Sequence, residues 1–164
     1  MSVSMGREGT TAEIVHVAPP FSDTTLYARV NEADATSGPS DWLAGINIDD
    51  FEGDTPAARV VRAAKSIGAS IVSPGARDSS SNSSALDPSF PGYVSFVNAS
   101  MIETADELGL KVVPYTINRL TTQEELDNLG IDGVITDYPA VFRAWAEKKG
   151  YKVAPQLDYE VVNR

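Results

Sequence analysis

Three times along this chain a helical pattern ends in an apolar residue followed by glycine, and a short apolar run resumes within a few residues. The copies are Ala64-Lys-Ser-Ile-Gly68 before Ser70-Ile-Val-Ser73, Asp106-Glu-Leu-Gly109 before Lys111-Val-Val-Pro-Tyr-Thr116, and Asp127-Asn-Leu-Gly130 before Gly133-Val-Ile-Thr136. Glycine after a helix adopts the left-handed conformation without a Cβ penalty and turns the chain back. The runs that follow are apolar at most positions. That is the pattern of parallel strands covered on both faces.

The helices are consistent on their own chemistry. Thr55 suits an N-cap with Pro56 in the first turn, and Ala57 to Ile67 continues that helix with Val60, Val61, Ala64 and Ile67 on one face. Asn98 or Ser100 caps the next, with Met101, Ile102, Ala105 and Leu108 inward. Thr121 or Thr122 opens the third, with Glu124 and Glu125 near the positive end of the helix dipole. Pro139 fits the first turn of the last, whose apolar side is Val141, Phe142 and Trp145 and whose C-terminal end carries Lys148 and Lys149. Trp42-Leu-Ala-Gly-Ile-Asn-Ile48 reads as an earlier strand. Four β/α units in series form either a doubly wound sheet or a (β/α) barrel.

Around these units the pattern weakens. Residues 1–41 are irregular, with Glu13–Ala18 and Thr25–Val30 as candidate short strands. Residues 42–150 hold the repeats, interrupted by a polar loop from Pro74 to Gly92, and residues 151–164 read as a tail. At 164 residues the chain is long enough for one domain with a real core. The absence of cysteine excludes disulfides, a thiolate nucleophile and zinc-thiolate sites, and a single histidine excludes multi-His metal clusters. A net charge of −10 argues against nucleic acid and anionic lipid as partners. No apolar run is long enough for a membrane span, and the N-terminal stretch has no apolar signal-peptide core, so the chain as given is expected in the cytoplasm.

In either architecture chemistry sits at the C-terminal ends of the strands. Asp49 and Asp50 stand there as cation ligands or, in the plainer reading, as solvated loop carboxylates. Asp137 is expected to cap the final helix ahead of Pro139, with binding of an ion or a substrate hydroxyl as the other role. Ser73, Tyr115 and Asn118 occupy the ends of other runs, Tyr115 as pocket lining or core filling. His16 lies in the weakly patterned segment and reads as a bystander. There is no Gly-rich phosphate loop. Asn82-Ser-Ser84 and Asn98-Ala-Ser100 match the N-glycosylation acceptor, a motif common by chance.

The stretch Leu108-Gly-Leu-Lys-Val-Val-Pro-Tyr-Thr-Ile-Asn118, a helix, and then Leu129-Gly-Ile-Asp-Gly-Val-Ile-Thr-Asp-Tyr-Pro139 resembles the closing strands of glycerophosphodiester phosphodiesterases. Trp42 to Pro74 is similar to the strand, helix and S-P-ending strand of family members, so the resemblance spans about two-thirds of the chain, Trp42 to Gly150. It implies a (β/α) barrel that cleaves a phosphodiester of glycerol. In the intact family a divalent cation, Mg²⁺ or Ca²⁺, offsets charge on the phosphate and a histidine pair moves protons.

The sequence departs from the family where those groups sit. The family's His-Arg-Gly, Pro-Glu-Asn-Thr, Glu-Leu-Asp, His-Asp and Glu-Leu-Lys segments are absent. A barrel takes about 200–250 residues, so the chain is expected to be the C-terminal part of a (β/α)8 TIM barrel, about four β/α units. It is expected to carry no catalytic or metal-ligating residues and to bind no cation alone. The resemblance carries over the pocket residues Tyr115 and Asn118, and Ser73 from the S-P strand. The substrate of a completed barrel is a glycerophosphodiester, and open sheet edges favour self-association. The other reading is a non-catalytic half-barrel that binds or assembles.

Overall fold

The computed structural model describes residues 2–4, 27–30, 38–76 and 95–153. Its helices begin and end on local chemistry. Helix α1 (Pro56–Ser66) starts with proline in its first turn, and Thr55 Oγ1 accepts the Ala58 N–H at 3.1 Å. Helix α2 (Ala99–Leu108) is capped by Asn98, whose side chain accepts the Met101 N–H at 3.1 Å. Ser100, the other candidate cap, does something else. Thr55 Oγ1 donates to Ser100 Oγ, which donates to Asp54 Oδ1, at 2.9 and 3.0 Å, and so the starts of α1 and α2 are tied together. Helix α3 (Leu120–Leu129) and α2 both end on a glycine, Gly130 at φ 94° and Gly109 at φ 70°, as the repeat requires. Helix α4 is Pro139–Lys148.

The strands are β1 (Ser2–Ser4), β2 (Tyr27–Val30), β3 (Ile71–Pro74), β4 (Lys111–Val112) and β5 (Gly133–Ile135). β2 and β3 pair in parallel, Tyr27 opposite Ile71 and Val30 opposite Pro74, and β3 pairs in parallel with β4. Pairing continues past β4, because Tyr115 N–H donates to the Pro74 carbonyl and Ala76 N–H donates to that of Tyr115. β5 belongs to a second, two-stranded sheet with β1, and backbone hydrogen bonds hold it beside the β4 segment. Asp132 N–H donates to Val112 O, Ile135 N–H to Pro114 O, and Ile117 N–H to Ile135 O, all at 2.9 to 3.0 Å. β1 lies antiparallel on β5, Ser2 opposite Ile135. From β2 to β5 the spatial order is the chain order, and the strand order does not reverse as it does at the switch point of a doubly wound sheet.

One face of this sheet carries the core. Ala28, Val72, Val112 and Val134, one from each parallel strand, are buried with Val60, Val61, Ala64, Met101, Ala105, Leu126 and Phe142. None of the described helices is long and apolar enough to cross a membrane.

Four local expectations are corrected. Trp42–Ile48 is not a strand: it holds the 3-10 turn Asp41–Leu43 and a tight loop, and a second turn follows at Ile48–Asp50. Ala44 and Gly45, at φ 55° and 79°, reverse the backbone and bring Ser40 and Ile46 into an antiparallel bridge. The apolar residues Leu43 and Ile48 are buried in the core cluster, so the run owes its hydrophobicity to plugging and not to pairing. The strand beside β3 is the candidate in the N-terminal zone, over Tyr27–Val30. Helix α3 opens at Leu120 behind Arg119, which makes no side-chain cap, because Thr122, Gln123 and Leu126 form its buried side and place Thr122 inside the helix. On α4 the buried side is Phe142 and Ala146, while Val141 is 50% exposed. Asp137 is not the cap of α4, as described below. Glu13–Ala18, His16, Asn82 and the loop core from 77 to 94 lie outside the described residues.

Candidate functional site

Parallel neighbours bring the C-terminal ends of β3, β4 and β5 to one rim of the sheet. Ser73 is in β3. Its neighbour Val72 packs into the helix-side core, so strand alternation turns Ser73 to the opposite face. The residue is 1% exposed, and its Oγ finds no hydrogen-bond partner among the described residues. Tyr115 stands on the next strand end. Its backbone bridges Gly75, its side chain is half-buried, and the Tyr115–Thr116 peptide is cis.

Asn118 stitches the ends of β4 and β5 together. Its Oδ1 accepts the Asp137 N–H at 3.0 Å and the Thr136 hydroxyl at 3.3 Å, and its Nδ2 donates to Asp137 Oδ2 at 2.8 Å. The hydroxyl of Thr136 in turn accepts the Tyr138 N–H at 3.1 Å. The N-cap of α4 is Tyr138, with no side-chain cap bond. The Asp137 carboxylate therefore points its hydrogen bonding back across the rim to Asn118, because that amide offers both a donor and an acceptor at the strand ends. Residue-type reasoning at the helix start saw Asp137 and Pro139 but not this partner. The Thr-Asp pair closing a strand opposite an Asn was the available signal.

Other candidates fall away from the rim. Asp49 lies in the turn after Asn47 and pairs with Arg59 Nη1 at 2.6 Å, and Asp50 is exposed in the same turn. Because Trp42–Ile48 is not a strand, neither carboxylate stands at a strand end. Among the described residues no three His, Cys, Asp or Glu side chains cluster as a metal-binding set. Among the described residues the rim offers one carboxylate, Asp137, already bonded through Oδ2.

The shifted titrations belong to the opposite end, beyond the C-terminus of α4. Burial and a 2.6 Å hydrogen bond to Asp127 push the Tyr151 hydroxyl up to about 12. Glu124 accepts from Lys149, which holds the carboxyl below its usual value and raises the ammonium. Tyr151 also stacks on Trp145 at 6.0 Å, so the start of the expected tail is fastened to α3 and α4.

The chain resembles known proteins. Residues 51–141 match the glycerophosphoryl diester phosphodiesterase family. YhdW of Bacillus subtilis (strain 168), which carries the name glycerophosphodiester phosphodiesterase, is 36% identical over 55 residues, covering 31% of this chain and 23% of that protein. The matched stretch is thus about a quarter of the curated relative's length. No solved structure gives a significant match.

Proposed function

This chain belongs to the glycerophosphoryl diester phosphodiesterase family, and from that premise we propose that it forms the C-terminal part of a (β/α)8 barrel, about four β/α units, walling the substrate pocket of a glycerophosphodiester hydrolase without hydrolysing the diester on its own. The observation that carries the reading is the chain-order parallel sheet, whose rim holds the family-like segments ending in Asn118 and in Thr136-Asp137. A barrel wall needs consecutive parallel neighbours with a helix after each strand; the parallel pairing of β2, β3 and β4 and the backbone hydrogen bonds from the β4 segment to β5 support that reading.

In this reading Tyr115 lines the pocket, Asn118 holds the rim of β5 in place, and Ser73 offers an unused hydroxyl on the face away from the helices. Diester cleavage requires charge stabilisation at phosphorus and a proton for the departing alkoxide. The family is metal-dependent in general, and a bound cation supplies the first of these. The described residues do not fit a cation: the rim has a single carboxylate, pinned by Asn118, and no cluster of ligands. No step is therefore assigned to a metal on these residues. In a completed barrel the partners are a glycerophosphodiester and the strands that close the sheet, with self-association through the sheet edges as the route open to this chain.

The test is an assay of choline release from glycerophosphocholine over a range of Mg²⁺ and Ca²⁺. No turnover above the uncatalysed rate is expected. Metal-dependent turnover that disappears in His16→Ala would overturn the reading.

A further inference from the structure

The described strands end at two edges, one open and one covered. β2 pairs with β3 on one side, and among the described residues no strand lies on its other side. β5 stands at the far end. Its hydrogen bonds to the β4 segment advance along both chains together, Asp132 N–H to Val112 O and then Ile135 N–H to Pro114 O, so it runs parallel to β4. Its outer side is taken by β1, which runs antiparallel and pairs through Ser2, Val3 and Ser4. Of those three residues only the valine is a strong strand former, whereas β2, Tyr27-Ala-Arg-Val30, offers a tyrosine and a valine.

We propose that β1 is a displaceable guard and that the partner of this chain is a second copy of itself. Two copies close into one eight-stranded barrel about a twofold axis, the β5 of each pairing in parallel with the β2 of the other. This deepens the pocket-wall reading and rests on it. A (β/α)8 barrel holds eight parallel strands. β2 to β5 in chain order span about half its circumference, so a second copy turned by half a revolution completes it. A twofold axis along the barrel leaves strand direction unchanged. Both junctions are then the same β5–β2 contact, and no edge remains to recruit a third copy. The rims of the two copies fall at one mouth, which gives each pocket wall an opposite wall. β1 has to leave first, since it holds the backbone groups of β5 that the incoming strand needs. The net charge of −10 on each copy opposes the approach, so association should strengthen as salt screens it.

The test locks the guard in place. The chain has no cysteine, so cysteines placed at Ser2 and Ile135, which stand directly opposite each other, are its only thiols. The double variant Ser2→Cys/Ile135→Cys is compared with the parent by sedimentation velocity over a concentration series, first with the intramolecular disulfide formed and then reduced. The parent and the reduced variant should pass from monomer to dimer, stop at dimer, and do so at lower concentration in high salt. The oxidised variant should remain a monomer throughout. Dimerisation should return when the same sample is reduced, which shows that the lock and not misfolding held it. The proposal fails if the parent is a monomer at every concentration, if the locked form dimerises like the parent, or if assembly runs past two copies. A failure here leaves the pocket-wall reading to its own test, since mass and not turnover is measured.

Discussion

At the scale of residues, small side chains tie strand ends and helix starts together, and their contributions are separable. Asn118 satisfies a backbone N–H and a hydroxyl on the next strand end, so Asn118→Ala should lower stability by about 1 kcal/mol, read as a shift in the urea midpoint at unchanged slope. Thr55→Ala removes the cap of α1 and the link to Ser100, at about 1 kcal/mol. Tyr151 gives a pH signature. Its neutral form is favoured in the fold, since the folded value is about 12 against an ordinary 10.0. Its contribution is complete below pH 10.0 and fades as pH rises through about 12. Tyr151→Phe should flatten that part of the stability profile, and an unchanged profile would contradict the assigned environment. The caps at Thr55 and Asn98 could be read from residue type because capping is a local matter. The Asn118–Asp137 pair could not, because its partners are 19 residues apart.

At the scale of elements, the helix–glycine–strand repeat was legible because each copy is short-range chemistry followed by a run with no polar face. The third repeat's boundary shifted, since burial of Thr122 and Leu126, and not the better capping residue, decides where α3 begins. Trp42–Ile48 misled for a different reason. Its apolar residues plug the core from a loop, and composition alone does not distinguish a plug from a strand. β1 carried no readable signal, being a single valine between serines. The helix layer is anchored where two units meet. Phe142 is 2% exposed in the shared core, and Phe142→Ala should cost about 3–5 kcal/mol, seen as a lower melting temperature. A change under about 1 kcal/mol would mean that α4 is not docked on this sheet.

At the scale of the molecule, β2, β3 and β4 pair in parallel, β5 lies beside β4 through backbone hydrogen bonds, and among the described residues β1 covers the far side of β5 with three antiparallel residues. The family fold closes a parallel sheet on itself, so a short antiparallel strand there is a weak occupant of an edge that a parallel strand would take. Removing residues 1–4 should uncover β5 and increase concentration-dependent association in sedimentation velocity; an unchanged monomer would count against the sheet edge as the associating surface. The most direct measurement of the central claim is a ³¹P NMR time course of glycerophosphocholine with the chain and Mg²⁺ or Ca²⁺. A pocket wall without the catalytic groups predicts that the phosphodiester resonance persists unchanged. Conversion to a phosphomonoester at a rate proportional to the chain's concentration would contradict it.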